Sequence, residues 1–412
     1  MKKKNLLTKT VGKLHLILGL TVGAIVFIVA LTGCLFAFQQ DITDFLRRDV
    51  IYHKEAAVDK KKVLPLAELE ARVKAFTQEP YEVFWVDIPL DKQKSYKFIY
   101  LEMDEHAWNY FDEFVSYKSV YINPYSGEVL RFIDEEYSFF HIVKYIHFSL
   151  LLKSTWGKWI TGVPTLIFIF MLVSGLYLWW PKTRKSVRQR FWFRWKKVKG
   201  WKRKNYDLHN ILGFYTIPFA LVLAITGAFY SFLFIQGLLF SAFAQPGESY
   251  PFYTEYNREL DLENYEFSML DKMSAQVAER YPTAAQYSIV FPYEHLEYEH
   301  PEHPYEAYVK QLDYSYHVSH RVMFDPNTAE IINIVNYDDK SLAEKVLDAN
   351  YDIHVGAIGG MWGKILAFII SAICASLPVT GFMIWRGRQK KAKKLNRQPK
   401  TTALANKEAL NI

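Results

Sequence analysis

The chain has 412 residues, half of them hydrophobic and 17% aromatic, with 50 lysines and arginines against 43 acids and a formal net charge of +7. A mean hydropathy of −0.06 over such a composition means very apolar segments beside very polar ones, which excludes one soluble core of this length. The basic residues adjoin the apolar runs and do not form a nucleic-acid surface; the two cysteines, Cys34 and Cys374, lie inside those runs, which excludes a disulfide framework or a CxxC zinc site in the polar regions.

Taken in chain order, residues 1–13 are a basic start carrying Lys2, Lys3, Lys4, Lys9 and Lys13. Leu14–Phe38 follows without a single Asp, Glu, Lys or Arg, long enough to cross a hydrocarbon core of roughly 30 Å. Residues 39–146 are polar and read as an extracytoplasmic domain, with an amphipathic helix at about Leu66–Phe76 and several short alternating strands. Residues 147–181 hold an outer segment and the second span, whose charge-free part is Ile160–Trp180. The loop 182–207 is the strongest topological signal, with twelve Lys or Arg and no acid between Lys182 and Lys204. Residues 208–245 form the third span, read as one charge-free run over Ile211–Gln245. Residues 246–350 form a second outside domain, with a helix at about Met269–Tyr281, and 351–385 the last outer segment and span. The tail 386–412 is basic again. The three basic segments place both termini in the cytoplasm of a bacterial cytoplasmic membrane. A competing reading takes Leu31-Thr32-Gly33-Cys34 as a lipoprotein signal box, which would remove the first span.

Against that reading stands an internal repeat. Leu14-His15-Leu16-Ile17-Leu18-Gly19 recurs as Leu208-His209-Asn210-Ile211-Leu212-Gly213, and seventeen residues after each histidine stands a Thr-Gly pair, Thr32-Gly33 and Thr226-Gly227. His147 is followed by Trp156-Gly157-Lys158, and His354 by Trp362-Gly363-Lys364. The far ends of those spans read Ser174-Gly175 and Thr380-Gly381, and the outside domains share an Asn/Asp-Pro turn between two strands, at Asn123-Pro124 and Asp325-Pro326. Parallel halves related about the membrane normal are expected, with the Thr-Gly pairs serving close helix packing.

The repeat brings four histidines into register: His15 and His209 at the cytoplasmic ends of spans one and three, His147 and His354 before spans two and four. Facing imidazoles on helices hold b-type haem through neutral nitrogens, so two matched pairs point to one-electron transfer across the bilayer. Trp156, Trp159, Trp179, Phe214, Trp362 and Trp385 could wall the macrocycles. A metal-ion site, a proton site, or histidines simply bonded to backbone and lipid headgroups remain open on the residues alone. His141, six residues before His147, reads as a surface or supporting residue. The cluster His295, His300 and His303 among Glu294, Glu297, Glu299 and Glu302 reads as a solvated loop, with cation binding as the alternative. His53, His106, His317 and His320 show no site-like spacing. There is no GxGxxG, P-loop, GxSxG or HExxH, so an electron donor would be a membrane quinol or a separate cytoplasmic reductase.

Tyr145-Ile146-His147-Phe148-Ser149-Leu150-Leu151-Leu152, Ser174-Gly175-Leu176-Tyr177-Leu178-Trp179-Trp180-Pro181 and Asp207-Leu208-His209-Asn210-Ile211-Leu212-Gly213 together resemble the PepSY-associated transmembrane family, over about Lys9 to Arg388. That resemblance implies an α-helical integral membrane protein with four transmembrane helices, two α+β PepSY-like extracytoplasmic domains and a tandem internal repeat. It further implies two b haems, with His15 and His209 as inner ligands and His147 and His354 as outer ones. The implied activity is haem-dependent reduction of a ferric siderophore or other ferric iron complex outside the cytoplasm. A non-catalytic envelope sensor or peptidase-regulating protein is the competing function. A small transporter is disfavoured, because the spans hold no Asp, Glu, Lys or Arg to couple ions.

Overall fold

The computed structural model describes every residue except 1–5, 55–57, 59–60, 182, 184–186, 188–189, 194, 196–199, 252–267, 292–304, 326–327 and 397–412. Four helices are long and apolar enough to cross a membrane, so the chain is a multi-pass membrane protein: α1 (Leu6–Phe36), α7 (Ser154–Trp179), α8 (Trp201–Phe229) and α13 (Gly360–Asn396). Pro164, Pro218 and Pro378 lie inside three of them. The third charge-free run is not one helix. It breaks at Tyr230–Phe232, where Phe232 takes an extended backbone, and resumes as the short α9 (Leu233–Phe243).

Shorter helices flank the spans: α2 (Gln39–Leu46), α3 (Arg48–Ile51), α4 (Leu66–Thr77), α5 (Tyr110–Glu113) and α6 (Phe139–Ser149) in the first half. In the second they are α10 (Ser268–Arg280), α11 (Leu342–Asp348) and α12 (Asn350–Val355). Both amphipathic helices therefore stand where periodicity places them.

The chain divides into two units. One comprises the described residues of Met1–Leu31, Val163–Ala224 and Ile369–Ile412, all helical in its spans. Its core is Leu172, Ile217, Ala220, Ile370 and Cys374. Small residues allow close approach there, since a Cβ added to Gly19 would stand 2.9 Å from Met171 Cε.

The other unit, Thr32–Gly162 with Ile225–Phe368, holds a sheet. Its strands are β1 (Val83–Pro89), β2 (Tyr96–Met103), β3 (Phe114–Ile122), β4 (Val129–Asp134), β5 (Gln286–Val290), β6 (Tyr305–Leu312), β7 (Ser315–Phe324) and β8 (Ile331–Val335). All eight form one antiparallel sheet in the order β4-β3-β2-β1-β5-β6-β7-β8, to which the two outside segments contribute four strands each. The join is the β1–β5 ladder, Trp85↔Val290 through Asp87↔Ser288 to Pro89↔Gln286. Helices α4 and α10 cover one face with a shared core that includes Leu69, Val73, Ile88, Tyr100, Met273 and Ile289. Asp271 on α10 accepts the backbone N–H of Leu66 at 2.7 Å, capping α4. The first expected strand–turn–strand unit is present, Asn123 Oδ1 accepting Tyr125 N at 2.9 Å; of the second, β7 and β8 pair and Asp325 Oδ1 accepts Thr328 N at 3.2 Å, while Pro326 and Asn327 lie outside the described residues.

On α4, Glu70 is only 3% exposed, and burial pushes its carboxyl up to about 7 despite Lys74 at 3.2 Å. A carboxyl raised in the folded state binds its proton more tightly than in the unfolded chain. Stability is therefore full below the ordinary value of 4.5 and falls as pH rises through 7. Glu70→Gln is expected to raise the thermal midpoint of detergent-purified protein at pH 8, by at most about 3 kcal/mol of stability, and to change little at pH 5. Thermal unfolding at the two pH values checks it, and an equal effect at both would refute the burial argument.

Candidate metal centres

Each of the four in-register histidines has its Nδ1 against a hydroxyl of another helix. On α1, His15 meets Ser174 Oγ of α7 at 2.8 Å. His209, in the π-helical turn Leu208–Leu212 of α8, meets Thr380 Oγ1 of α13 at 2.9 Å and the Leu377 carbonyl at 3.1 Å. Near the end of α6, His147 meets Thr32 Oγ1 at 3.3 Å, and His354 of α12 meets Thr226 Oγ1 at 2.9 Å.

These bonds select tautomers. A carbonyl only accepts, so His209 Nδ1 carries the proton and Nε2 the lone pair. Ser174 Oγ donates to the Met171 carbonyl at 3.1 Å and so accepts from His15 Nδ1, with the same result. A neutral imidazole with Nδ1–H engaged presents Nε2 as the ligating nitrogen.

The residue after each hydroxyl is glycine, and three of these lie directly under a ring. An added Cβ would stand 3.4 Å from His15 Cε1 at Gly175, 3.2 Å from His209 Cε1 at Gly381 and 3.0 Å from His354 Cε1 at Gly227. The Ser/Thr-Gly pairs thus do more than pack helices: the hydroxyl orients an imidazole and the glycine leaves room for it.

A second signal escaped the sequence reading. Asn205-Tyr206-Asp207-Leu208-His209 matches Asn350-Tyr351-Asp352-Ile353-His354, one before span three and one before span four. In both, the asparagine reaches the carbonyl of the threonine that holds its histidine: Asn205 Nδ2 to Thr380 O at 3.0 Å, Asn350 Nδ2 to Thr226 O at 3.2 Å. The aspartates are buried and anchored. Asp207 pairs with Arg203 at 2.9 Å. Asp352, fully buried, accepts Ser315 Oγ at 2.6 Å, the backbone N–H groups of Tyr316 and His317 at 2.8 Å, and His317 Nδ1 at 2.8 Å. The helix bearing His354 is thereby tied to the start of β7.

His147 and His354 come together, their ring centroids 6.0 Å apart with planes at 60°. Among the described residues no group of three or more His, Cys, Asp or Glu is placed to hold a bare metal ion. His295, His300 and His303 lie outside the described residues.

His141 is not a surface residue. It packs among Tyr110, Phe114, Tyr117 and Tyr145, with Nδ1 2.6 Å from the Tyr110 hydroxyl, and burial holds its pKa down to about 3. The ring is neutral structural core. His53 bonds the Lys92 carbonyl at 3.0 Å. Of the aromatics considered as walls, Trp179 is buried and stacks on Phe214 at 3.8 Å. Trp156 and Trp362 are 62% and 81% exposed, which suits a lipid interface better than the wall of a cofactor.

A family model described as the PepSY-associated TM region matches residues 13–388. No curated protein matches the chain.

Proposed function

The chain belongs to the PepSY-associated TM region family, and on that premise we propose that it is an electron-transfer protein of the bacterial cytoplasmic membrane, carrying two b haems and reducing ferric siderophore or another ferric iron complex outside the cytoplasm. The observation that carries this reading is the close pair His147 and His354. Two imidazoles that would share one iron would each have a nitrogen about 2 Å from it, which would leave their ring centres roughly 6 Å apart. The separation here is 6.0 Å.

The donor set agrees. A bare zinc or similar ion takes three or four protein ligands, whereas haem would need only one or two from the protein, and His147 with His354 offers two imidazoles. On this reading His147 and His354 hold one haem, and His15 and His209 the other. Haem supplies one-electron chemistry at an iron whose potential the protein adjusts. The chain's own contribution is orientation. Ser174 and Thr380 hold their histidines in the Nε2-ligating tautomer, Thr32 and Thr226 hold the other two at Nδ1, and Gly175, Gly381 and Gly227 leave room for the Cε1 corner of three of the rings.

Two tandem copies of a helix, PepSY-like domain, helix unit account for this duplication of contacts and for a strand order that reads alike from either edge. Both termini are then cytoplasmic, as the basic segments require. The two histidine pairs fall at opposite ends of the spans in chain order, as a path between membrane faces needs.

The test is the optical spectrum of detergent-purified protein, oxidised and dithionite-reduced, with haem counted per chain. A sharp reduced b-type band with about two haems is expected. A colourless protein, expressed with adequate haem supply, would overturn the proposal and leave an envelope sensor in front.

A further inference from the structure

The first and third spans each lead into the sheet-bearing unit through a short helix that the histidine sites do not use: α2 (Gln39–Leu46) after α1, and α9 (Leu233–Phe243) after α8. We infer, independently of any cofactor, that both helices lie in the bilayer leaflet on that side, along the boundary between headgroups and acyl chains, and seat the sheet on the lipid surface.

Neither helix can cross a membrane. At about 1.5 Å per residue they reach roughly 12 and 16 Å, against a hydrocarbon core of roughly 30 Å. Each is nevertheless apolar on the side that the described chain leaves uncovered. On α2, Ile42, Phe45 and Leu46 fall within an arc of about 100°. All three are exposed, Phe45 by 76%. The other side of α2 is engaged with protein: Gln40 accepts the Tyr316 hydroxyl at 3.1 Å, Asp41 pairs with Lys364 at 2.6 Å, and Arg47 pairs with Glu135 at 2.5 Å.

Helix α9 has no charged residue and a single amide, Gln236. A helix apolar all round belongs in a protein core or in lipid. One side meets the protein through buried Phe240, and the helix packs against α11. The other presents Leu233, Phe234 and Leu238, all exposed. The backbone between α8 and α9 suits lipid as well. Where α8 stops, Gln236 Nε2 donates to the Phe229 carbonyl at 2.9 Å, and the N–H groups of Ser231 and Phe232 return to the Ala228 carbonyl at 3.1 and 3.0 Å. Irregular backbone at membrane depth needs such internal partners, which water would otherwise supply. Gln236 Oε1 accepts the Tyr250 hydroxyl at 3.0 Å, so both ends of that amide are satisfied within the chain.

Continuity decides what covers these faces. Each follows directly on lipid-facing surface, with Leu31 and Leu35 exposed toward the end of α1, and Val222 and Ile225 toward that of α8. Neither face carries a charge, as burial at the acyl boundary requires. The seat reaches both halves of the sheet: from α2, Arg47 holds Glu135 just beyond the edge strand β4, and Gln40 holds Tyr316 of β7.

Full-length protein is reconstituted in vesicles of phosphatidylcholine and phosphatidylglycerol, with a nitroxide on Ile42→Cys, Phe45→Cys, Phe234→Cys or Leu238→Cys, one variant at a time. The parent, whose two cysteines are buried, is the labelling blank. Val173→Cys, exposed on α7, serves as the lipid reference, and Glu279→Cys, exposed on α10, as the water reference. Power-saturation spectroscopy compares collisions with oxygen, which concentrates in lipid, and with a water-soluble nickel chelate. All four labels are expected to favour oxygen over nickel several-fold more than Glu279→Cys does, at depths of about 5–10 Å. Two positions on each helix guard against a label that disturbs its own site. A nickel response equal to that of Glu279→Cys on either helix would overturn the inference. Shielding from both reagents, as a covering protein segment or a second copy of the chain would give, would overturn it equally.

Discussion

Replacing His209 by alanine is expected to lower haem content from about two per chain to about one, with a b-type spectrum retained by what remains. The loss should be complete at the affected site. On the proposed assignment His209 is one of two protein ligands there, and among the described residues it is the imidazole that Thr380 Oγ1 and the Leu377 carbonyl hold. His354→Ala should remove the other haem, and the double variant both. Thr380→Val gives the finer reading. It keeps the imidazole and removes the hydroxyl beside Nδ1, leaving Leu377 O as the remaining acceptor. Losses of 10–100-fold in affinity are typical for such supporting bonds, so this variant should lose haem on dilution or gel filtration while purifying folded. If each single histidine variant keeps two haems, the ligand assignment is wrong, whatever the spectrum of the parent protein.

A comparable effect is expected at a residue that is not itself a ligand, Gly363. Gly356 has φ +81, a left-handed conformation that suits glycine, and it packs directly on Gly363 of α13. A methyl on Gly363 would fall inside the van der Waals envelope of the Gly356 carbonyl oxygen, and backbone on both sides leaves no flexible side chain to yield. The turn must open, and His354 lies two residues before it. Gly363→Ala should therefore cost more than about 3 kcal/mol, or displace His354 and empty the His147–His354 site. Gly359→Ala is the control, because nothing lies within 4 Å of its added Cβ. Haem content and thermal midpoint of the pair, measured together, check this; equal behaviour of the two variants would refute it.

Much of the architecture is legible from residue patterns, for definite reasons. Charge-free runs of this length have few soluble alternatives, and α4 and α10 announce themselves by periodicity. What escapes depends on distant partners. Nothing near Val83–Pro89 says that its neighbour is Gln286–Val290, two hundred residues on. The break at Tyr230–Phe232 sits in Phe229-Tyr230-Ser231-Phe232, where hydropathy stays high while the helix ends. The four histidines stand out by register, yet their supporting residues do not. A threonine before a glycine in a membrane helix is ordinary packing chemistry, and only the fold shows an imidazole against it. Asn-Tyr-Asp-Leu-His and Asn-Tyr-Asp-Ile-His were visible as strings. The repeat frame hid them, because it aligns span three with span one and span four with span two.

The ladder between β1 and β5 has a further effect on assembly. Each of these strands would be a bare edge in a four-stranded sheet, an open template for any passing chain. On two separate polypeptides, closing that edge would depend on how many copies the membrane held. With both on one chain, each faces its partner at an effective concentration in the millimolar range, roughly, if the connection is short and flexible, and less as it lengthens. The two inner edges therefore pair with each other at any expression level, within one copy of the chain.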